Sequence, residues 1–193
     1  IMAIFVGFYL ASIGGWPIVM IGLASILAGI LYTGGPYPFG YHGLGDVFVF
    51  LFFGLVAVPG TYYLQKGEIT YLSIWIGVAV GMLSTAILVV NNLRDADLDK
   101  VSGKKTLAVR LGKQFSKIQY SILIIMPFII PIYIWWNNKD ELSLIITIFA
   151  LPISFHLIYQ IFSLTGSDLN NVLLKTVRLL FIFSLLLAVG FIL

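Results

Sequence analysis

Three residues in the middle of the chain, Asn91, Asp95 and Asp99, stand four apart. On an α-helix, side chains spaced by four stack one turn above the next on a single face. An amide oxygen and two carboxylates in such a row are hard donors. Mg²⁺ is commonly held by one or two carboxylates, with waters and phosphate oxygens filling the rest of its octahedron. Asp97 lies about 160° around the helix from Asp95 and so falls outside the row. Cations crowd the same stretch: Arg94, Lys100, Lys104, Lys105 and Arg110. Acids that hold a metal, beside bases that hold the anion the metal touches, point to a diphosphate bridged by magnesium. Arg94, Lys104, Lys105 and Arg110 are the candidate diphosphate contacts. Gly103 is placed to end the helix and turn the following loop back over the ligand. Charged loops between membrane helices are common, so the charges alone do not make a site. The four-residue register, and the placing of Asn91 at membrane depth, do point to one, because polar groups at that depth face a cavity or a partner.

The elements that must position these residues follow from composition. The chain has 193 residues, 60% of them hydrophobic and only 10% charged, with a mean hydropathy of +1.05. Soluble domains carry about 25% charged residues, so most of this surface must face lipid. Cysteine is absent, which removes disulfides, thiolate nucleophiles and Cys-based metal sites. The net charge of +3 is too small to read as a nucleic-acid footprint, and no nucleic-acid partner is expected.

A membrane-spanning helix needs about 20 mostly apolar residues. The uncharged windows predict an all-α, polytopic bundle of about seven helices: 1–13, 16–32, 47–64, 69–90, then one between Lys117 and Lys139, one between Glu141 and Asp168, and 171–193. Gly14-Gly15-Trp16-Pro17 separates the first two. Thr33 to Asp46 is dense in Gly and Pro and reads as a loop. Gly77, Gly81 and Pro152 suit close packing or kinks. Trp16, Trp135 and Trp136 read as interfacial anchors, Trp75 as helix packing, and His156 as a packed, hydrogen-bonded side chain rather than a catalytic one. Residues 1–193 make one membrane domain.

Orientation comes from Lys and Arg in alternate connections. One set (33–46, 93–117, 164–178) carries nine, and the other carries Lys66 and Lys139 only. The motif loop is therefore expected on the cytoplasmic side of a cell membrane.

The stretch Asn91-Asn92-x-Arg94-Asp95-x3-Asp99, followed by Gly103-Lys-Lys-Thr-Leu-Ala-Val-Arg-Leu-Gly112, resembles the second aspartate-rich motif of the UbiA-type intramembrane prenyltransferases. Within them it looks like the 1,4-dihydroxy-2-naphthoate polyprenyltransferases of menaquinone synthesis, as does Tyr32-Thr-Gly-Gly-Pro-Tyr-Pro-x-Gly-Tyr-His-Gly-Leu-Gly-Asp46. The resemblance implies Mg²⁺-dependent transfer of a prenyl group from polyprenyl diphosphate to an aromatic acceptor, with loss of diphosphate and, for the naphthoate, of CO₂. It implies Asp95 and Asp99 as catalytic metal ligands assisted by Asn91. Tyr32, Tyr41, His42 and Asp46, on the same side as the motif, are candidates for the acceptor site, although Asp46 could simply cap the following helix. The family has nine helices and two such motifs. The chain begins at Ile1 inside an apolar run, so the first two helices and first motif are expected to be missing, and the chain alone could be inactive. A related enzyme with another acceptor, such as 4-hydroxybenzoate, is the alternative. A CDP-alcohol phosphatidyltransferase would need an Asp-Gly-x2-Ala-Arg motif that is absent. A transporter would carry its charges mid-membrane rather than at one mouth.

Overall fold

The computed structural model describes residues 2–35 and 38–193. Ile1, on which the expected truncation rests, and Pro36 and Tyr37 of the Gly/Pro-rich loop lie outside the described residues. The fold is helical throughout, with no strand among the described residues. Its elements are α1 (Met2–Thr33), α2 (Gly45–Lys66), α3 (Tyr71–Val101), the short α4 (Leu107–Arg110), α5 (Lys113–Asn137), α6 (Lys139–Ser163) and α7 (Leu169–Gly190). Apart from α4, all are long and apolar enough to cross a membrane, which gives six candidate spans. The two segments expected at 1–13 and 16–32 fall, over the described residues, within the one element α1, which counts as a single candidate span. They meet at Gly15, whose φ of 63° and ψ of −156° break the helix inside α1. Only glycine adopts such angles without strain.

α3 is the axis of the bundle. Half of its most apolar stretch is buried, against 6% for α1. It packs against α2, α4, α5 and α7, and its buried face includes Leu83, Ala86, Val89, Val90 and Leu93. A capping box starts it: Thr70 Oγ1 accepts from the Ser73 amide at 3.2 Å, while Ser73 Oγ accepts from the Thr70 amide at 3.2 Å. The α2–α3 contact is backbone on backbone. A Cβ added to Gly77 would lie 2.8 Å from the Gly54 carbonyl oxygen, and one on Gly81 would lie 2.9 Å from that of Phe50. The expectation of close packing at Gly77 and Gly81 is thus met at atomic spacing. α2 widens into a π-helical segment over Phe50–Val56, just before Pro59. A proline lacks the N–H its helix needs, and the preceding turn loosens accordingly. In α6 the 3₁₀ segment Lys139–Ala150 gives way to regular helix at Leu151, with Pro152 in its first turn.

The tryptophans match expectation in part: Trp136 is exposed near the end of α5, and Trp75 packs on Tyr133 with ring centroids 5.0 Å apart, while Trp16 is exposed midway along α1 rather than near a helix end. His156 does not. It is exposed, on the face of α6 that also carries Phe155, Tyr159 and Phe162 outward. That face points away from the bundle, so the imidazole is not packed in the core.

Candidate active site

The helix of the fourth apolar window continues through the polar residues as far as Val101, so Asn91, Asp95 and Asp99 stand on successive turns of α3. Arg94 ties the upper two together. Its Nε donates to Asp95 Oδ1 and its Nη2 to Asp95 Oδ2, both at 2.7 Å. The same Nη2 donates to Asn91 Oδ1 at 2.8 Å, and Nη1 reaches across to Asn170 Oδ1 on α7 at 2.8 Å. A planar guanidinium can hold this fork, whereas an ammonium cannot.

Asp99 is paired by another device. Gly103, with φ of 79°, follows the C-cap Ser102. The Lys104 amide then donates to the Asp99 carbonyl at 2.9 Å, and the Gly103 amide to that of Lys100 at 3.4 Å. This is the Schellman pattern of a glycine-terminated helix. It folds the chain back so that Lys104 Nζ lies 3.2 Å from Asp99 Oδ1. Asp99 is buried. The hydrogen bond and charge of Asp99 raise the Lys104 pKa above the ordinary lysine value. The sign follows: the protonated pair is complete below the ordinary lysine pKa and is lost only in strong alkali.

The loop before α2 closes over the same mouth. The Lys105 amide donates to the Tyr41 carbonyl at 2.7 Å, and Lys104 Nζ sits 5.3 Å from the centre of the Tyr41 ring. Gly43 (φ 75°) lies so close to the motif loop that a Cβ there would be 2.9 Å from the Lys105 carbonyl oxygen and 3.6 Å from Arg110 Cδ. His42 Nδ1 is 2.9 Å from the Pro38 carbonyl oxygen, holding the 3₁₀ turn Phe39–His42.

The candidates therefore fall into groups. Asn91, Arg94 and Asp95 form one network, while Asp99, Lys104 and Tyr41 form a second on the same helix end. Lys105 and Arg110 have exposed side chains at the rim. Asp97 points outward and pairs with Lys113 at 2.7 Å. Asp46 is buried in the first turn of α2, where Gln119 Nε2 donates to its Oδ2 at 2.6 Å and Asn92 Nδ2 to its Oδ1 at 3.4 Å. Tyr32 stands beside it, since a Cβ on Gly45 would meet the Tyr32 hydroxyl at 3.0 Å. Two partners, Gln119 and Asn170, lay outside the sequence reading, and a third, Asn92, stood in the motif without a role. Asn92 could have been found from the Asn-Asn doublet at membrane depth. Gln119 and Asn170 become visible only when distant helices are brought together.

Next to this mouth an apolar cavity of about 670 Å³ runs between α1 and α2. Tyr32, Phe48 and Val49 line one end, Gly22, Ser25 and Gly29 its middle, and Gly60, Thr61 and Leu64 the other. Tyr32 thus touches both the cavity and the surroundings of Asp46.

Among the described residues no cluster of three or more His, Asp or Glu converges. The row offers one amide and two carboxylates, each carboxylate held by one cation. That donor set suits Mg²⁺, which leaves most of its coordination to water and phosphate.

Fold and site together define a multi-pass helical membrane protein whose central helix ends in hard oxygen donors beside an apolar cavity. The chain belongs to the UbiA prenyltransferase family, which it matches over residues 1–185. It is 36% identical over 177 residues to the 1,4-dihydroxy-2-naphthoate octaprenyltransferase of Haemophilus influenzae, covering 88% of this chain and 56% of that protein. It is 44% identical over 119 residues to the protein of the same name from Mycobacterium leprae, covering 62% of this chain and 40% of that one. The human UbiA prenyltransferase domain-containing protein 1 is 29% identical over 150 residues, covering 78% and 44% respectively. The chain spans about half the length of the curated relatives it matches, or less.

Proposed function

We propose that the protein transfers a polyprenyl group from polyprenyl diphosphate to 1,4-dihydroxy-2-naphthoate, releasing diphosphate and CO₂ and giving a demethylmenaquinol. The observation that carries this reading is the Asn91-Asp95-Asp99 row with Arg94 and Lys104 beside it, on a bundle whose apolar cavity between α1 and α2 ends at Tyr32. The names of the bacterial relatives support the choice of acceptor. In this reading residues 1–193 act as one membrane domain, with the motif loop on the cytoplasmic side of the cell membrane, where the charge asymmetry puts it.

Asp95 and Asp99 would hold Mg²⁺, with Asn91 assisting. The ion supplies a positive charge that stabilises the diphosphate as it leaves. Arg94 and Lys104 already stand on the two carboxylates and are placed to share their charge with an arriving diphosphate. Lys105 and Arg110 at the rim draw the anion in. The apolar cavity takes the prenyl chain and keeps water from the allylic cation. Tyr32, Tyr41, His42 and Asp46 surround the place where the aromatic ring would lie, with an electron-rich ring carbon facing the cation. The carbon–oxygen bond of the prenyl diphosphate breaks, the new carbon–carbon bond forms, and the ring carboxylate departs as CO₂.

The test is incubation of membranes holding the full-length protein with labelled prenyl diphosphate, Mg²⁺ and dihydroxynaphthoate. Prenylated naphthoquinol should form, disappear on addition of EDTA, and return with magnesium. Preference for 4-hydroxybenzoate would overturn the acceptor while keeping the reaction. Solute flux across vesicles without prenyl product would overturn both.

A further inference from the structure

We propose that Asp46 and Gln119 form the subsite that binds a ring hydroxyl of the aromatic acceptor, with Asn92 holding the carboxylate in place. The proposal rests on the acceptor reading given above and assigns it a specific pair of atoms.

Asp46 is an unusual carboxylate. A first-turn Asp ordinarily sits at the surface and caps its helix, yet this one is only 6% exposed. The ion pairs among the described residues belong to Asp95, Asp97 and Asp99, and none reaches Asp46. Its side-chain partners are two neutral amides from two other spans, Asn92 on α3 and Gln119 on α5, and its own backbone amide also donates to it. The Asn92 bond, at 3.4 Å, is long, and so leaves Oδ1 underused.

Gln119 adds the second half. Because its Nε2 faces Asp46, its Oε1 is turned the other way, where it is buried with no hydrogen-bond donor. A buried acceptor without a donor is a standing cost to the fold. The cluster therefore pairs a carboxylate that has no cation with a bare carbonyl, Gln119 Oε1, that has no donor. A hydroxyl supplies what is missing.

The position suits an aromatic hydroxyl. Tyr32 lies against Gly45 and also lines the end of the apolar cavity. A ring seated there would have its flat face among Tyr32 and Phe48 and its edge toward Asp46. Asn92 follows Asn91 directly on α3, so the hydroxyl site and the row of donors are carried by one rigid helix. A hydroxyl bonded to a carboxylate pushes electron density into its ring, which favours attack by a ring carbon. A site built of paired polar atoms also rejects analogues that lack the hydroxyl, since its own groups are then left unpaired.

The experiment uses the full-length protein in nanodiscs, with Gln119→Leu and the volume-conserving Gln119→Met. It reads KM for dihydroxynaphthoate, KM for prenyl diphosphate, and inhibition by 1-hydroxy-2-naphthoate and 2-naphthoate. Wild type should be inhibited about tenfold better by the hydroxylated compound. Both variants should raise the acceptor KM about tenfold, leave the prenyl diphosphate KM within about twofold, and lose the preference between inhibitors. Equal effects on both KM values, or no effect on either, would overturn the subsite while leaving the prenyl transfer reading intact. If neither variant accumulates as folded protein, the wild-type inhibitors decide: equal inhibition overturns the proposal. A wild-type enzyme that prenylates only acceptors without a hydroxyl removes the acceptor reading and the subsite together.

Discussion

Replacing Arg94 by alanine removes four hydrogen bonds at once, two to Asp95 and one each to Asn91 and Asn170. Hydrogen bonds to a charged partner are worth about 1.5–3 kcal/mol each. The Arg94 and Asp95 side chains are 26% and 30% exposed, so solvent screening reduces that figure for each bond. A combined loss of about 2–3 kcal/mol in transition-state stabilisation corresponds to roughly 30- to 150-fold in kcat/KM. The effect should fall on kcat/KM for prenyl diphosphate, because Arg94 fixes the Asn91–Asp95 pair and, in the proposed function, contacts the incoming anion. Arg94→Lys keeps the charge but cannot span three partners with one planar fork. It should lose less, about tenfold. The assay is initial rate at limiting prenyl diphosphate, with thermal unfolding in detergent measured on the same samples. Arg94→Ala within threefold of wild type would refute the reasoning. So would a loss that tracks unfolding alone and appears equally in Arg94→Lys.

Three further outcomes are expected. Gly81→Val forces a branched side chain onto the Phe50 carbonyl oxygen, where even a Cβ would lie at 2.9 Å. Overpacking of this kind costs about 1–3 kcal/mol, and a clear fall in melting temperature should show it. Gly103→Ala meets no steric neighbour but must hold a φ of 79°, at a cost of about 1–2 kcal/mol. The Lys104 return should loosen, and KM for prenyl diphosphate should rise a few-fold with little change in acceptor KM. Tyr120→Phe removes the buried 2.7 Å hydrogen bond between Tyr120 and Thr176. It should lower stability by about 1 kcal/mol and leave catalytic rates unchanged.

How much of this was legible in the sequence depended on the range of the signal. The apolar windows are local, so the helices could be placed from the absence of charge alone. The four-residue register is also local, and α3 carries it intact. Gly103 marked the helix end because a left-handed residue there has a known consequence for the chain after it. What escaped was long-range. Asp46 meets Gln119 across 73 positions, and Arg94 meets Asn170 across 76. No periodicity in one segment encodes either pairing. His156 was misjudged for a related reason: α6 carries large apolar residues both outward (Phe155, Tyr159, Phe162) and inward (Leu157, Ile161), so hydropathy does not tell which face meets the bundle. The break at Gly14-Gly15-Trp16-Pro17 was visible as composition, whereas its confinement to Gly15 within one long element was not.

The central claim is that the row on α3 grips a divalent ion together with a diphosphate. Mn²⁺ can stand in for Mg²⁺ and its binding be read directly by electron paramagnetic resonance, without turnover. In the full-length protein, a non-hydrolysable prenyl diphosphate analogue should tighten Mn²⁺ binding, and Asp95→Ala and Asp99→Ala should each weaken it tenfold or more. Mn²⁺ binding in both variants equal to wild type, with the analogue present, would contradict the account.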